Sequence, residues 1–160
     1  RLSLVGSEMC IRDSLWILLS ASGLLLLDQL SKQWWLQNLQ PGQSHRWIPG
    51  LLNLRLVWND GAAFSLFSNG STWLGWISLL VSVGLLVWIW RSARQWSRWQ
   101  AAAAALLLAG SLGNGLDRWR YGAVIDGLEL VPISFPVFNL ADVAINLAVL
   151  CLLIEAIRQR

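Results

Sequence analysis

Residues 61–90 read GAAFSLFSNGSTWLGWISLLVSVGLLVWIW, a run without one charged side chain. Crossing about 30 Å of hydrocarbon takes about 20 apolar residues in helix. The part from Ser71 onward meets that length, and Ser71 and Thr72 offer an N-cap. A helix facing water would carry a charged stripe along one side, and this one carries none. It is read as a membrane span over 71–90.

The rest of the chain agrees. Of its 160 residues 56% are hydrophobic and 13% charged, against about 25% charged in soluble domains. Mean hydropathy is +0.52. A globule this small leaves much of its surface in water and cannot hide so much apolar side chain, which excludes an ordinary soluble enzyme. Further spans are read at about 15–35, 101–116 and 137–157. The third opens with five alanines and contains Gly110, Gly113 and Gly115, small residues that let helices approach closely. The fourth has Pro136 placed just before its first turn.

Four spans put both termini on one side. Arg91, Arg94 and Arg98 between spans two and three, with Arg158 and Arg160 at the end, mark that side as cytoplasmic. Tryptophans near span ends, among them Trp34, Trp35, Trp88 and Trp90, read as an interfacial belt. Leu52, Leu54 and Leu56 alternate with polar residues, and Val124, Asp126, Leu128 and Leu130 share a period of two. These predict a small sheet on the outer membrane surface. The expected fold is mainly α and integral to the membrane: one domain over 15–160, a four-helix transmembrane bundle with a small extracytoplasmic β-sheet. Residues 1–14 (RLSLVGSEMCIRDS) have no clear period and are read as a non-native or disordered leader, outside the fold.

The net charge is +3 and the pI is near 9.5, but the basic residues are scattered between apolar runs. They orient the chain in lipid and imply no nucleic acid. Cys10 and Cys151 lie at opposite ends, so they form neither a disulfide framework nor a CxxC motif. The single histidine, His45, makes a histidine-rich metal site improbable. No metal and no cofactor are expected.

The polar residues inside the spans are ordered. Ser111, Asn114 and Arg118 share one face of span three, Asn139, Asp142 and Asn146 one face of span four, and Asp28, Ser31 and Lys32 one face of span one. All lie toward the outer ends. Intramembrane charge is costly, so three stripes at one depth imply a shared polar pocket. Hydrolytic chemistry there is narrowed by elimination. A Ser-His-Asp triad would need His45, which sits in a loop beside Pro41, Gly42 and Pro49 without a partner. Cys151 lies at the inner side and is read as packing. A Ser-Lys pair of Lys32 with Ser31, Ser65 or Ser111 competes with an ion pair between Lys32 and Asp28, one turn earlier. A pair of aspartates remains, drawn from Asp28, Asp60, Asp117, Asp126 and Asp142. Close carboxylates do not both ionise cheaply, so one holds a proton while the other acts as base. Asp142 near a helix N-terminus suits the base, and Asp126 among Val124, Ile125 and Leu128 suits the acid. As a coupled pair the two titrate together.

Five blocks then resemble the bacterial lipoprotein signal peptidase family, in that family's order: DQLSK at 28–32, NDGAAFS at 59–65, GNGLDR at 113–118, VID at 124–126 and FNLAD at 138–142. The resemblance implies a membrane aspartyl endopeptidase that removes the signal peptide of a prolipoprotein just before its diacylglyceryl-cysteine. Asp126 and Asp142 would be its catalytic dyad. Asn114 and Arg118 would hold substrate backbone, Asn139 would orient the dyad, and Asn59 and Gly61 would shape a loop beside the pocket. Asp28 and Lys32 would steady the first helix or touch substrate. Also implied are a mobile flap, a monomer in the bacterial cytoplasmic membrane with membrane lipid around it, and an active site near the outer face. Gly127 departs from the phenylalanine the family commonly carries there. Asp60 and Glu129 are read as solvated surface. The competing readings are a small transporter or channel subunit, which would need polar groups along its whole depth, and a non-catalytic membrane scaffold.

Overall fold

The computed structural model describes the backbone of residues 2–61 and 71–159, with the side chains of these apart from 2–13 and 94. In chain order the elements are α1 (Leu2–Asn38), β1 (Ser44–Ile48), β2 (Leu52–Asn59), α2 (Ser71–Ser92), a 3-10 turn (Ala93–Gln95), α3 (Arg98–Tyr121), β3 (Val124–Leu130) and α4 (Leu140–Arg158). The molecule is mainly helical, with one three-stranded antiparallel sheet in the order β1-β2-β3.

Among the described residues three helices are long and apolar enough to cross a membrane, at Ser14–Asn38, Ser71–Ser92 and Leu140–Arg158. The helix expected over 101–116 is present within α3 but is not among these three. The remaining helix, α3, differs because it packs against all three others. Its buried residues are largely Ala and Gly, including Ala103, Ala104, Ala105, Gly110 and Gly113, and small side chains lower hydropathy while permitting close approach. A Cβ on Gly113 would run into the Asp28 carboxylate and the Ala141 side chain. Glycine there lets an acid of α1 reach the start of α4.

Helix ends explain the other boundary shifts. α3 starts at Ser97, whose side chain accepts from the backbone N–H of Trp99 and Gln100, and stops at Gly122 with φ 72°, the left-handed conformation glycine favours at that place. The fourth span begins at Leu140 rather than 137. Phe138 is held extended by a bridge to Leu128, so Pro136 lies outside the helix and Asn139 is its N-cap. At the other extreme α1 begins at Leu2, so the backbone of the expected leader continues the first helix. The packing of Met9 and Ile11 lies outside the described residues. So do 62–65 of the NDGAAFS block.

The sheet was legible in two of its three strands. β1 occupies the stretch expected as a loop around His45; all five of its residues are exposed, so no apolar alternation marks it. β2 pairs with β3 through Val57 and Asp126, Trp58 and Ile125, and Asn59 and Val124. Between Leu54 and Val57 the register shifts, placing Arg55 and Leu56 opposite Gly127. A bulge of this kind bends the strand and re-aims the side chains beside it, here next to Asp126. Beneath lies a small core of Trp35, Leu56, Ile125 and Leu128. Trp35, expected in the interfacial belt, is 4% exposed, and its indole lies where a Cβ on Gly127 would sit. A second core, of Ile17, Ala21, Leu85, Ile89, Ala104 and Leu108 among others, joins α1, α2 and α3 at the end of the bundle away from the sheet.

Candidate active site

Helix α4 supplies the first acid through its own cap. Asn139 Oδ1 accepts from the Asp142 backbone N–H at 2.9 Å, and Asp142 Oδ2 accepts from the Asn139 backbone N–H at 3.2 Å. This reciprocal capping box satisfies two N–H groups that the helix cannot and fixes the Asp142 carboxylate at the positive end of α4. Its other oxygen, Oδ1, accepts from Asn114 Nδ2 of α3 at 2.8 Å.

Strand β3 supplies the second. Asp126 is 1% exposed. Asn139 Nδ2 donates to its Oδ1 at 2.6 Å and Asn59 Nδ2 to its Oδ2 at 3.1 Å. Burial is the main force on its proton. Together with the negative charge of Asp142 it pushes the carboxyl up to about 7, against the opposing pull of the Asn59 and Asn139 hydrogen bonds and of Lys32. Asn139 is thus the hinge of the site. Fully buried, it caps the helix that bears Asp142 and donates to Asp126, and the same Nδ2 lies 3.1 Å from Asn114 Oδ1.

Two cavities meet at the pair. The larger, about 840 Å³, runs between α2, α3 and α4, and is lined by Ile77, Val81, Leu107, Val143 and Leu147 with Asn114, Arg118 and Asp142 at its polar end. The smaller, about 360 Å³, is lined by Val57, Trp58, Asn59, Asp60, Asp126, Pro136 and Val137. Asn59, Pro136 and Val137 line both, so the two cavities adjoin, one bordered by Asp142 and the other by Asp126. Arg118 Nη2 donates to the Gly61 carbonyl at 3.1 Å, and Gly61 N–H donates to Asn59 Oδ1 at 3.2 Å. Arg118 Nε is buried and has no hydrogen-bond acceptor among the described residues.

A model of the family described as signal peptidase (SPase) II matches residues 20–158. The chain belongs to that family. A lipoprotein signal peptidase of Synechococcus sp. (strain RCC307) is 89% identical over 145 residues, covering 91% of this chain and 96% of the relative. One of Parasynechococcus marenigrum (strain WH8102) is 54% identical over 139 residues, covering 86% and 87%. The fold is also similar to that of a solved bacterial membrane enzyme, with a TM-score of 0.82 at 29% identity over 89% of this chain and 87% of that one.

Within this signal peptidase II fold, the expected site residues separate into two groups. Asp126, Asp142, Asn59, Asn114 and Asn139 form one hydrogen-bonded set, joined by Arg118 and Gly61 at its rim. Asp28 and Lys32 line neither cavity. They are buried behind the set, where Lys32 Nζ donates to Asn114 Oδ1 at 3.1 Å. Lys32 also pairs with Asp28, as expected, which removes it from Ser-Lys chemistry. Ser31 and Ser111 are likewise engaged elsewhere, Ser31 with the Asp28 carbonyl and Ser111 with the Leu107 carbonyl and Ser82. Glu129, expected as solvated surface, accepts from Ser44, Asn53 and Arg55, bonds that hold its carboxyl below the usual range, Ser44 foremost. Sequence reasoning assigned no role to Gln29, and it weighed Asp117 only as a candidate for the acid pair, not as a partner of Lys32. Asp117 is three residues beyond Asn114 on the same helical face, a signal that could have placed it beside the set.

Proposed function

We propose that the chain is a membrane aspartyl endopeptidase that removes the signal peptide from diacylglyceryl-modified prolipoproteins, cleaving just before the lipidated cysteine, with Asp126 and Asp142 as its dyad. The observation that carries this reading is the single buried amide of Asn139, which holds one acid by its N–H and caps the helix bearing the other. Family membership and relatives named lipoprotein signal peptidase support the substrate class.

The chemistry follows from the two environments. Asp142, at a helix N-terminus with N–H donors on both oxygens, serves as general base and takes a proton from water as its oxygen attacks the scissile carbonyl. Asp126, whose carboxyl holds its proton up to about pH 7, gives that proton to the carbonyl oxygen. The resulting gem-diol collapses as a diol hydroxyl returns a proton to Asp126. The C–N bond breaks, the departing nitrogen receives the proton held by Asp142, and a carboxylic acid and an amine are released. Arg118, with an unused N–H beside the cavity, and Asn114 would hold substrate backbone, while Asn59 and Gly61 would shape the rim. The apolar walls from α2 and α4 suit the helix of a signal peptide.

In this reading α3 is a fourth, protein-wrapped span. The chain works as a monomer surrounded by lipid in the bacterial cytoplasmic membrane. Arg91, Arg98 and Arg158 all sit at the end opposite the sheet, which supports cytoplasmic termini and an outward-facing site.

The test is cleavage of a diacylglyceryl-modified prolipoprotein by the full chain in lipid vesicles. Asp126→Asn and Asp142→Asn each preserve size while removing acid-base function, and each is expected to lower kcat by about 10²–10⁴-fold. Undiminished cleavage by either variant defeats the assignment.

A further inference from the structure

Behind the dyad lies a buried ion cluster. Lys32 Nζ is 2.9 Å from Asp28 Oδ2 and 2.8 Å from Asp117 Oδ2, with none of the three side chains more than 3% exposed. Desolvation offsets much of the attraction in such a cluster, so stability alone is a weak reason for it. Its other contacts are more telling. Asp28 Oδ1 accepts from the backbone N–H of Ala141 at 2.9 Å, and Asp117 Oδ2 accepts from that of Ile125 at 3.1 Å. Ala141 immediately precedes Asp142, and Ile125 immediately precedes Asp126. Each carboxylate of the cluster therefore grips the backbone N–H of the residue just before one dyad acid.

The remaining bonds close the frame. Lys32 donates to Asn114 Oδ1, which leaves Asn114 Nδ2 to face Asp142. Gln29 Nε2 lies 3.1 Å from Asp117 Oδ1 and 3.2 Å from Asp28 Oδ2, tying the two carboxylates together from α1. Asp117, Lys32, Asp28 and Gln29 line neither cavity, so none is placed to meet substrate.

We propose that Asp117 is a positioning residue for the dyad: through the Ile125 N–H and through Lys32 it locks β3 against the first turn of α4, and so fixes the separation of the Asp126 and Asp142 carboxyls. The inference rests on the aspartyl-dyad reading above.

The experiment measures kcat and KM for a diacylglyceryl-modified prolipoprotein with the full chain in vesicles, normalised to the folded fraction from thermal unfolding. The variants are Asp117→Ala, Asp117→Asn and, as a control for lost buried polarity, Ser82→Ala. Misplacing reacting groups by about 1 Å costs about 100-fold. Asp117→Ala is expected to lower kcat by about that factor with KM within about twofold, the signature of an interaction that acts on the chemical step. Asp117→Asn keeps an oxygen for the Ile125 N–H and should recover about tenfold of the loss. Ser82→Ala, which loses the hydroxyl contact between α2 and α3, should keep its kcat.

The proposal is overturned if Asp117→Ala retains its normalised kcat, if the change falls on KM, if asparagine performs no better than alanine, or if Ser82→Ala falls equally. Asp126→Asn and Asp142→Asn run alongside keep the two readings apart. Inactive dyad variants beside an active Asp117→Ala remove only the positioning role, whereas active dyad variants remove the mechanism itself.

Discussion

The two ends of the helix bundle are packed from different residues and do opposite work. Away from the sheet, Ile17, Ala21, Leu85, Ile89, Ala104 and Leu108 meet side chain to side chain. At the sheet end Asp28, Lys32, Asn114, Asp117, Asp126 and Asn139 are all buried, and each has a hydrogen-bond or ion-pair partner. Buried polar groups are costly unless every one is satisfied. The difference teaches that α3 contributes closeness at one end and arrangement at the other. Alanines at 103–105 bring helices together, while Gly110 and Gly113 bring a carboxylate and a helix start within reach of each other.

The sharpest way to break this contrast is Asn139→Leu, which removes the bond to Asp126 and the cap of α4 in one change. Cleavage should fall by about 100-fold or more, and loss of the N-cap should cost about 1 kcal/mol of stability. Parallel activity and thermal-unfolding measurements check both, and a variant that loses stability but keeps its kcat would place Asn139 among mere packing residues. Leu108→Ala probes the opposite end. It should cost about 2–5 kcal/mol of stability through the cavity it leaves, while kcat measured well below the unfolding transition stays within about twofold. A large kcat loss there would erase the division of labour between the ends.

The smallest effect concerns protons. With Asp126 as the protonated member, kcat should decline as pH rises through about 7. The Asn59 N–H favours the charged carboxylate, so Asn59→Ala raises the Asp126 pKa further and should move that declining limb to higher pH. A limb that moves toward lower pH, or stays fixed, argues that another group is being titrated. The same sign governs stability. The proton on Asp126 is held more tightly in the folded chain, so its contribution is full below the ordinary carboxylate range and is lost as pH rises through about 7.

Much of this was legible beforehand, for identifiable reasons. Charge-free runs announce lipid-facing helices, and acids inside them stand out because they are expensive there; Asp142 was singled out that way, Asp126 from its apolar strand neighbours, and both from their sequence blocks. What escaped involved competition between two plausible local rules. Pro136 suits a helix start, yet Asn139 with Asp142 makes a better cap, and the bridge at Phe138 keeps the intervening residues extended. Trp35 near a helix end suits a membrane interface, yet it fills the space beneath β3. β1 has no buried face, hence no periodicity to read. Asp117 stood among the candidate acids, but its contacts with Lys32 and the Ile125 N–H join residues distant in sequence and leave no local pattern to read.

One pairing constrains how this chain could change. The indole of Trp35 occupies the space that any side chain at position 127 would need, directly next to Asp126. Even a methyl group there must displace a large aromatic ring or tilt the strand that carries the acid. A bulkier neighbour for Asp126 is best accommodated together with a smaller residue at position 35, which makes room under the sheet for the new side chain. The two positions are coupled by volume.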